Sequence, residues 1–247
     1  MNVHPIDTAD TARVYFQEAE VSDPMQPPAK VRDLKAELRH KLMARALQSI
    51  YAPKPAQTWF PQGDKRLLYD VAAEKFGSDP ITYLEFGVHR GGSFRQIASR
   101  FKHPESRLYG FDSFEGLPEA WRNMDTGHFS TGGEEPDFSD SRAAFIKGWF
   151  QNTVPAFLSS HALRNTVLVH FDADLYSSTL FLMTSLWHFV PEYYFLFDEF
   201  TPDEVVAMYD FCDAYPVDFE FIACTQDENA RPLQVFGHLK RKELVLP

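Results

Sequence analysis

From residue 64 to residue 214 the chain alternates short apolar runs with segments of helical periodicity, and no other feature restricts its fold as much. Helices are expected over residues 65–76 (closed by Gly77), 93–101, 154–163, 178–189 (Ser177 or Ser178 as N-cap) and 203–214. Strands are expected over residues 81–86, 107–111, 144–150, 166–171 and 193–197. Two of them, VLVHF and YYFLF, are continuous apolar runs, the mark of strands buried on both faces. Strand–helix alternation implies a mainly parallel sheet with helices on both sides. Residues 219–224 and 233–239, joined by a polar turn, read as an antiparallel pair. The expected class is α/β and Rossmann-like: a mainly parallel seven-stranded sheet with an antiparallel C-terminal strand and a helical N-terminal extension.

The 247 residues suit one large α/β domain, 64–247, preceded by an extension, 1–63. Residues 1–28 are polar and proline-containing and read as irregular. Over residues 29–50, Val31, Leu34, Leu38, Leu42, Ala46 and Ile50 recur at helical spacing among basic residues. Such a helix packs on its own domain or on a second subunit, or lies on a membrane surface. The first two uses make it a candidate lid or dimer element, and the chain a candidate homo-oligomer. A net charge of −11 argues against nucleic acid as a partner. No apolar run reaches membrane-spanning length, and the first residues lack a signal peptide's pattern. Cys212 and Cys224 show no metal-like spacing. A cytoplasmic protein without membrane association is expected. Residues 125–142 interrupt the alternation, either as a lid or as a solvated surface loop.

Ligands of open α/β sheets bind beyond the carboxyl ends of the strands, so the residues after each strand are the informative ones. After the first strand comes Glu85-Phe86-Gly87-Val88-His89-Arg90-Gly91-Gly92-Ser93, glycines leading into a helix N-terminus. After the second comes Asp112, a carboxylate placed to accept from two ribose hydroxyls. The loop is neither GxGxxG nor a P-loop. Glu85 would oppose a phosphate but suit an ammonium group. Adenosine at one end and an amino acid at the other describe S-adenosylmethionine (SAM). After the fourth and fifth strands come Asp172, Asp174, Asp198 and Glu199. Clustered carboxylates repel unless protonated or bound to a cation, and a hard divalent ion such as Mg²⁺ or Ca²⁺ suits oxygen ligands. Caps and solvent-facing acids are the plainer use of the same residues.

The stretches YLEFGVHRGGSFRQIA, LYGFDSFEGLPEAW, KGWFQNTVPAFL, VHFDADLYSSTL and FDEF occur in the order found in one family, across roughly residues 64–200. The chain resembles the macrocin O-methyltransferase (TylF/MycF-like) family of class I SAM-dependent methyltransferases. The resemblance implies methylation of a hydroxyl on a small molecule or sugar, often of a natural product, with Mg²⁺ as metal cofactor. It implies that Glu85, Gly87 and Gly91 lie at the methionine end of SAM, that Ser93 also binds the cofactor, and that Asp112 holds the ribose with Ser113 beside it. Gly148 and Trp149 would lie near the adenine. Asp172 would be a metal ligand and a candidate general base, with Asp198 and Glu199 completing the metal site. Family members carry two aspartates at that last pair; Glu199 has the same charge on a longer arm. His89 stands where tryptophan is common, and Val190-Pro191-Glu192-Tyr193 replaces a Pro-Gly-Gly turn.

The implied chemistry is simple. SAM supplies an electrophilic methyl, an ion lowers the pKa of the acceptor hydroxyl, and a carboxylate takes its proton. Two rivals use the same residues. Asp172-Ala173-Asp174 is a DxD of the kind that holds a metal–diphosphate in nucleotide-sugar glycosyltransferases. A non-catalytic SAM-binding or assembly protein would explain the many aromatic residues as an interaction surface.

Overall fold

A computed structural model describes residues 29–61 and 63–243. The expectation for residues 1–28 lies outside them. The chain divides between Leu38 and Arg39 into two compact units. Within the described residues, the first unit holds the opening of helix α1 (Ala29–Ala46). The second unit begins inside that helix and carries the sheet. Helix α1 runs into a single π-type turn, Leu47–Tyr51, which ends the helical spacing. Ala46 and Ile50 are buried in the core, while Leu42 is exposed.

The other elements, in chain order, are β1 (Thr58–Pro61), α2 (Arg66–Phe76), β2 (Ile81–Phe86), α3 (Gly92–Arg100), β3 (Arg107–Asp112), β4 (Ala143–Lys147), α4 (Phe150–Ser160), β5 (Thr166–Phe171), α5 (Tyr176–Phe189), β6 (Glu192–Phe197), α6 (Pro202–Ala214), β7 (Val217–Gln226) and β8 (Pro232–Arg241). They form one sheet in the order β1-β7-β8-β6-β5-β2-β3-β4. Only β8 runs against the rest, pairing antiparallel with both β6 and β7. The Rossmann-like expectation holds, with eight strands in place of seven. The additional one, β1, lies in the proline-rich connection and pairs parallel to β7 at the sheet edge. There Pro61 can end a strand without breaking an interior ladder.

Side chains alternate across the sheet as a pleat requires. Leu84, Phe86, Val169, Phe171 and Phe197 face one core, shared with Val154, Leu182 and Met208 of α4, α5 and α6. Ile81, Tyr83, Leu168 and Leu196 face the other, with Leu68, Phe94 and Ile97 of α2 and α3. Each fully buried apolar side chain contributes roughly 1.5–3 kcal/mol against exposure, and the two cores clamp the central strands from both sides.

Three local expectations shift. The expected strand 144–150 stops at Lys147, because Gly148 takes φ +141° and Trp149 turns extended to open α4. Helix α4 therefore starts four residues earlier than the apolar spacing suggested, with Pro155 inside it. Neither serine caps α5. Leu175 holds the cap position, Ser177 donates to Glu119 at 2.6 Å, and Ser178 is buried.

Register is what this fold supplies to function. Phe86 pairs with Phe111 on one side and Phe171 on the other, and Phe171 pairs with Phe197. The next residues, Gly87, Asp112, Asp172 and Asp198, therefore leave the sheet at one level. The chain order also reverses between β2 and β5, which makes this end the topological switch point.

Candidate active site

The ends of β2 and β5 approach too closely for any side chain at residue 87. Gly87 has φ +99°, and a Cβ built there would lie 1.8 Å from the Asp172 carbonyl oxygen. Backbone bonds continue the ladder one step past the strands: Gly87 N–H donates to Phe111, Asp172 N–H to Phe86 and Asp198 N–H to Phe171, each at 2.9 Å. The glycine is thus a packing requirement that brings the turn after β2 down onto the acidic end of β5.

A cavity of about 290 Å³ opens at this level. Of the residues nominated from sequence, Gly87, Asp112, Ser113, Gly148, Trp149, Asp172, Asp198 and Glu199 line it. Glu85, Gly91 and Ser93 do not. Gly91 holds the N-cap position of α3. Glu85 is fully buried, where Ser93 Oγ and the Tyr83 hydroxyl donate to its two oxygens at 2.5 and 2.6 Å. Burial raises its pKa against the opposing pull of His170 and those two donors.

Asp112 is already heavily engaged. Its Oδ2 accepts Val88 N–H and His89 N–H at 2.8 and 2.7 Å, and its Oδ1 accepts Phe114 N–H at 2.7 Å. A carboxylate offers about four lone-pair directions, so roughly one is left for a ligand hydroxyl. Asp112 thereby organises the loop as well as facing the cavity. Ser113 Oγ accepts Glu115 N–H at 3.1 Å. Residues 125–142 cross the same region in packed form. Phe129 lines the cavity with its ring 5.8 Å from that of His89, and Lys147 donates to the Gly133 carbonyl at 2.6 Å.

On the opposite wall, ligand atoms of His170, Asp172 and Asp198 fall within 4.8 Å of one another. Burial and the neighbouring Asp198 charge push Asp172 well above the usual carboxylate range. Burial also acts on Asp198, but His170 and Lys65 outweigh it and hold that carboxyl low. Lys65 donates to Asp198 Oδ1 at 2.5 Å. Glu199 turns to Arg122 instead, at 2.8 Å. Asp174, which lines the cavity, is pushed up to about 7 by burial and then by Glu199 and Asp198. Glu204, at the start of α6, is fully buried. Neither of its oxygens has a hydrogen-bonding partner, and it feels Asp174, Asp172 and Asp198. Five carboxylates thus converge against Lys65 and Arg122. Carboxyls raised by burial and mutual repulsion offer hard oxygen donors, the type that suits a divalent cation such as Mg²⁺.

The model of the macrocin-O-methyltransferase (TylF) family matches residues 54–219 of this chain. The chain belongs to that family. It is accordingly a SAM-dependent O-methyltransferase. Among solved structures, the O-methyltransferase NovP is 21% identical, with a TM-score of 0.50 over 72% of this chain and 80% of NovP. CalS11, described as a TDP-rhamnose 3'-O-methyltransferase of calicheamicin biosynthesis, is 19% identical, with a TM-score of 0.46 over 98% and 97% of the two chains. An O-methyltransferase from Bacillus cereus solved with SAH is 14% identical, with a TM-score of 0.47 over 90% and 95%. The likeness to NovP shows the fold. No curated protein matches the chain by sequence.

Around this cavity, sequence reasoning passed over Lys65, Tyr83, His170 and Glu204, and it named Asp174 among the clustered carboxylates without giving it a role. Asp174 was visible as the second acid of the DxD. His170 and Tyr83 sit inside apolar strands, where nothing in the spacing marks a polar role. Lys65 lies at a helix start remote in sequence from Asp198, and Glu204, a few residues past Glu199, meets Asp172 and Asp174 only through the fold.

Proposed function

We propose that this O-methyltransferase moves the methyl group of SAM to a hydroxyl of a sugar or sugar-bearing small molecule, with Mg²⁺ as its metal. The observation that carries the reading is the shared level of Gly87, Asp112, Asp172 and Asp198 at the switch point. It sets a loop suited to an adenosine-type donor directly beside a wall of carboxylates. In this reading Glu85, Gly87, Gly91 and Ser93 serve the methionine end of the donor. Asp112 and Ser113 serve its ribose, and Gly148 and Trp149 flank its adenine. The aromatic faces of Trp121 and Phe129, also in the lining, suit the C–H faces of a sugar.

Asp172 and Asp198 would hold the ion, with Glu199 joining them once released from Arg122. When bound, such an ion supplies positive charge that lowers the pKa of an oxygen ligand. The protein's own task is to take the acceptor's proton. Asp172, the candidate named from sequence, is the more deeply buried and belongs to the ion-holding group. Asp174 faces the cavity with a carboxyl matched to neutral pH, so it is assigned the base role. The aromatic and glycine walls would orient the acceptor hydroxyl towards the methyl donor.

The test is product analysis by mass spectrometry, incubating SAM and Mg²⁺ with a panel of nucleotide sugars, glycosides and phenols. A single added methyl on a sugar hydroxyl is expected. Methylation confined to phenols would overturn the sugar assignment, and full activity of Asp198→Ala in excess Mg²⁺ would overturn the metal role.

A further inference from the structure

The turn from Trp121 to Met124 stands at the mouth of the cavity and carries a cation to which the proposed chemistry gives no task. Trp121 and Met124 exchange backbone hydrogen bonds at 2.9 and 2.8 Å across Arg122 and Asn123. Arg122 takes φ +52°, in the left-handed region that glycine enters freely and an arginine enters at a cost. Its guanidinium lies over the Trp121 ring, 4.1 Å from the centroid. That ring is buried, and its Nε1–H donates to Asp203 Oδ2 at 3.2 Å. Trp121 and Glu199, the stacking and ion-pair partners of Arg122, both line the cavity, while the Arg122 side chain itself is 44% exposed.

The chemistry of the guanidinium narrows what it can take. It has five N–H donors in one plane and no acceptor. Stacking uses the face of that plane, and among the described residues Glu199 Oε2 accepts the one hydrogen bond that Arg122 makes, at 2.8 Å. The remaining donors lie along the edge as a fork that matches the paired oxygens of a phosphate. Inside the cavity Asp172, Asp174, Asp198 and Glu199 repel an anion, and among the described residues that line it there is no lysine or arginine. A negative group on the acceptor is therefore driven off the wall, to the mouth where Arg122 stands. A counter-ion for Glu199 alone would need neither the costly backbone nor the stack, and both fix the fork before a ligand arrives.

We propose that Arg122 determines acceptor specificity by binding a sugar that carries a phosphoryl group, with the sugar inside the cavity and the phosphoryl oxygens at its mouth on the guanidinium. The inference rests on the reading that the acceptor is a sugar hydroxyl. A sugar phosphate and a nucleotide sugar share this chemistry, and a neutral glycoside lacks it.

Equilibrium binding tests the proposal without turnover. Hexose 1-phosphates, nucleoside diphosphate hexoses and the methyl glycosides of the same hexoses are titrated calorimetrically into SAH-saturated protein with Mg²⁺. Wild-type protein, Arg122→Gln and Arg122→Lys are compared, with thermal melts confirming that each is folded. Wild-type protein is expected to bind a phosphorylated probe about tenfold tighter than its neutral counterpart, the scale of one hydrogen bond to a charged group. Arg122→Gln should abolish that ratio and leave the affinity for methyl glycosides unchanged. Arg122→Lys, which keeps the charge without the fork, should retain part of it. Tighter binding of the diphosphate hexose identifies a nucleotide sugar, and tighter binding of the 1-phosphate a sugar phosphate. Equal binding of charged and neutral probes by wild-type protein overturns the proposal and leaves the sugar reading intact. A loss in Arg122→Gln shared equally by both kinds of probe does the same, because Arg122 is then only part of the wall. No binding of any sugar probe removes the sugar reading and the proposal with it. If Arg122→Gln does not fold, Arg122→Gly, which suits the left-handed backbone, replaces it with the same expected outcomes.

Discussion

At the scale of single residues, Asp174 shows how position separates acids of the same type. All three of Asp172, Asp174 and Asp198 line the cavity, but Lys65 engages Asp198 and burial drives Asp172 well above the usual range, whereas Asp174, at φ +59°, is pushed up to about 7. Asp174→Asn should lower kcat by about 10² to 10⁴-fold, the usual weight of a general base, and leave SAM affinity unchanged by calorimetry. A second residue-scale prediction concerns stability. Hydrogen bonds from Arg142 hold the Asp140 carboxyl below the usual range, and Arg142 also donates to the carbonyls of Ala98 and Phe101. A carboxyl with a depressed folded pKa stabilises above its unfolded value, and the gain is lost as pH falls through the folded value. Asp140→Asn should therefore cost about 1 kcal/mol at neutral pH in urea unfolding. That difference should close in acid.

At the scale of elements, the segment 125–142 acts as part of the wall. It is tied down by Lys147 on Gly133 and by Arg95 on the Asp137 carbonyl, and it presents Phe129 to the cavity. Phe129 is 41% exposed, so it contributes little to the core. Phe129→Ala should raise KM for donor or acceptor several-fold while the melting temperature barely moves; a collapse in stability with KM unchanged would make the segment structural only. The edge strand β1 shows the same economy of signal. Thr58-Trp59-Phe60 is too short to display a period, and it becomes a strand because β7 offers an unpaired edge.

At the scale of the molecule, two cores press the central strands into one register, and the register creates the site. The carboxylates it gathers repel one another without a cation, so binding one should stabilise the fold by mass action. Mg²⁺ should raise the melting temperature of wild-type protein and leave that of Asp198→Asn unchanged. Among the described residues, no helix is long and apolar enough to cross a membrane.

The local pattern was readable in the residues themselves. Apolar runs and helical spacing define β2 to β6 and their helices, because burial on both faces leaves a direct trace in composition. Glu85, Gly87, Asp112, Asp172 and Asp198 were likewise legible, since each lies at or next to the end of such a run. Contacts between distant segments were not. Lys65 on Asp198, His170 between Tyr83 and Asp198, Glu199 turned to Arg122, and Glu204 buried without a partner arise only when strand ends and helix starts converge. By itself the sequence determined that a glycine turn follows β2 and that carboxylates stand at or just after the ends of β3, β5 and β6. Tertiary structure alone decided which acids face the cavity and which are bound behind it, because charge interactions follow distance in space and not separation along the chain.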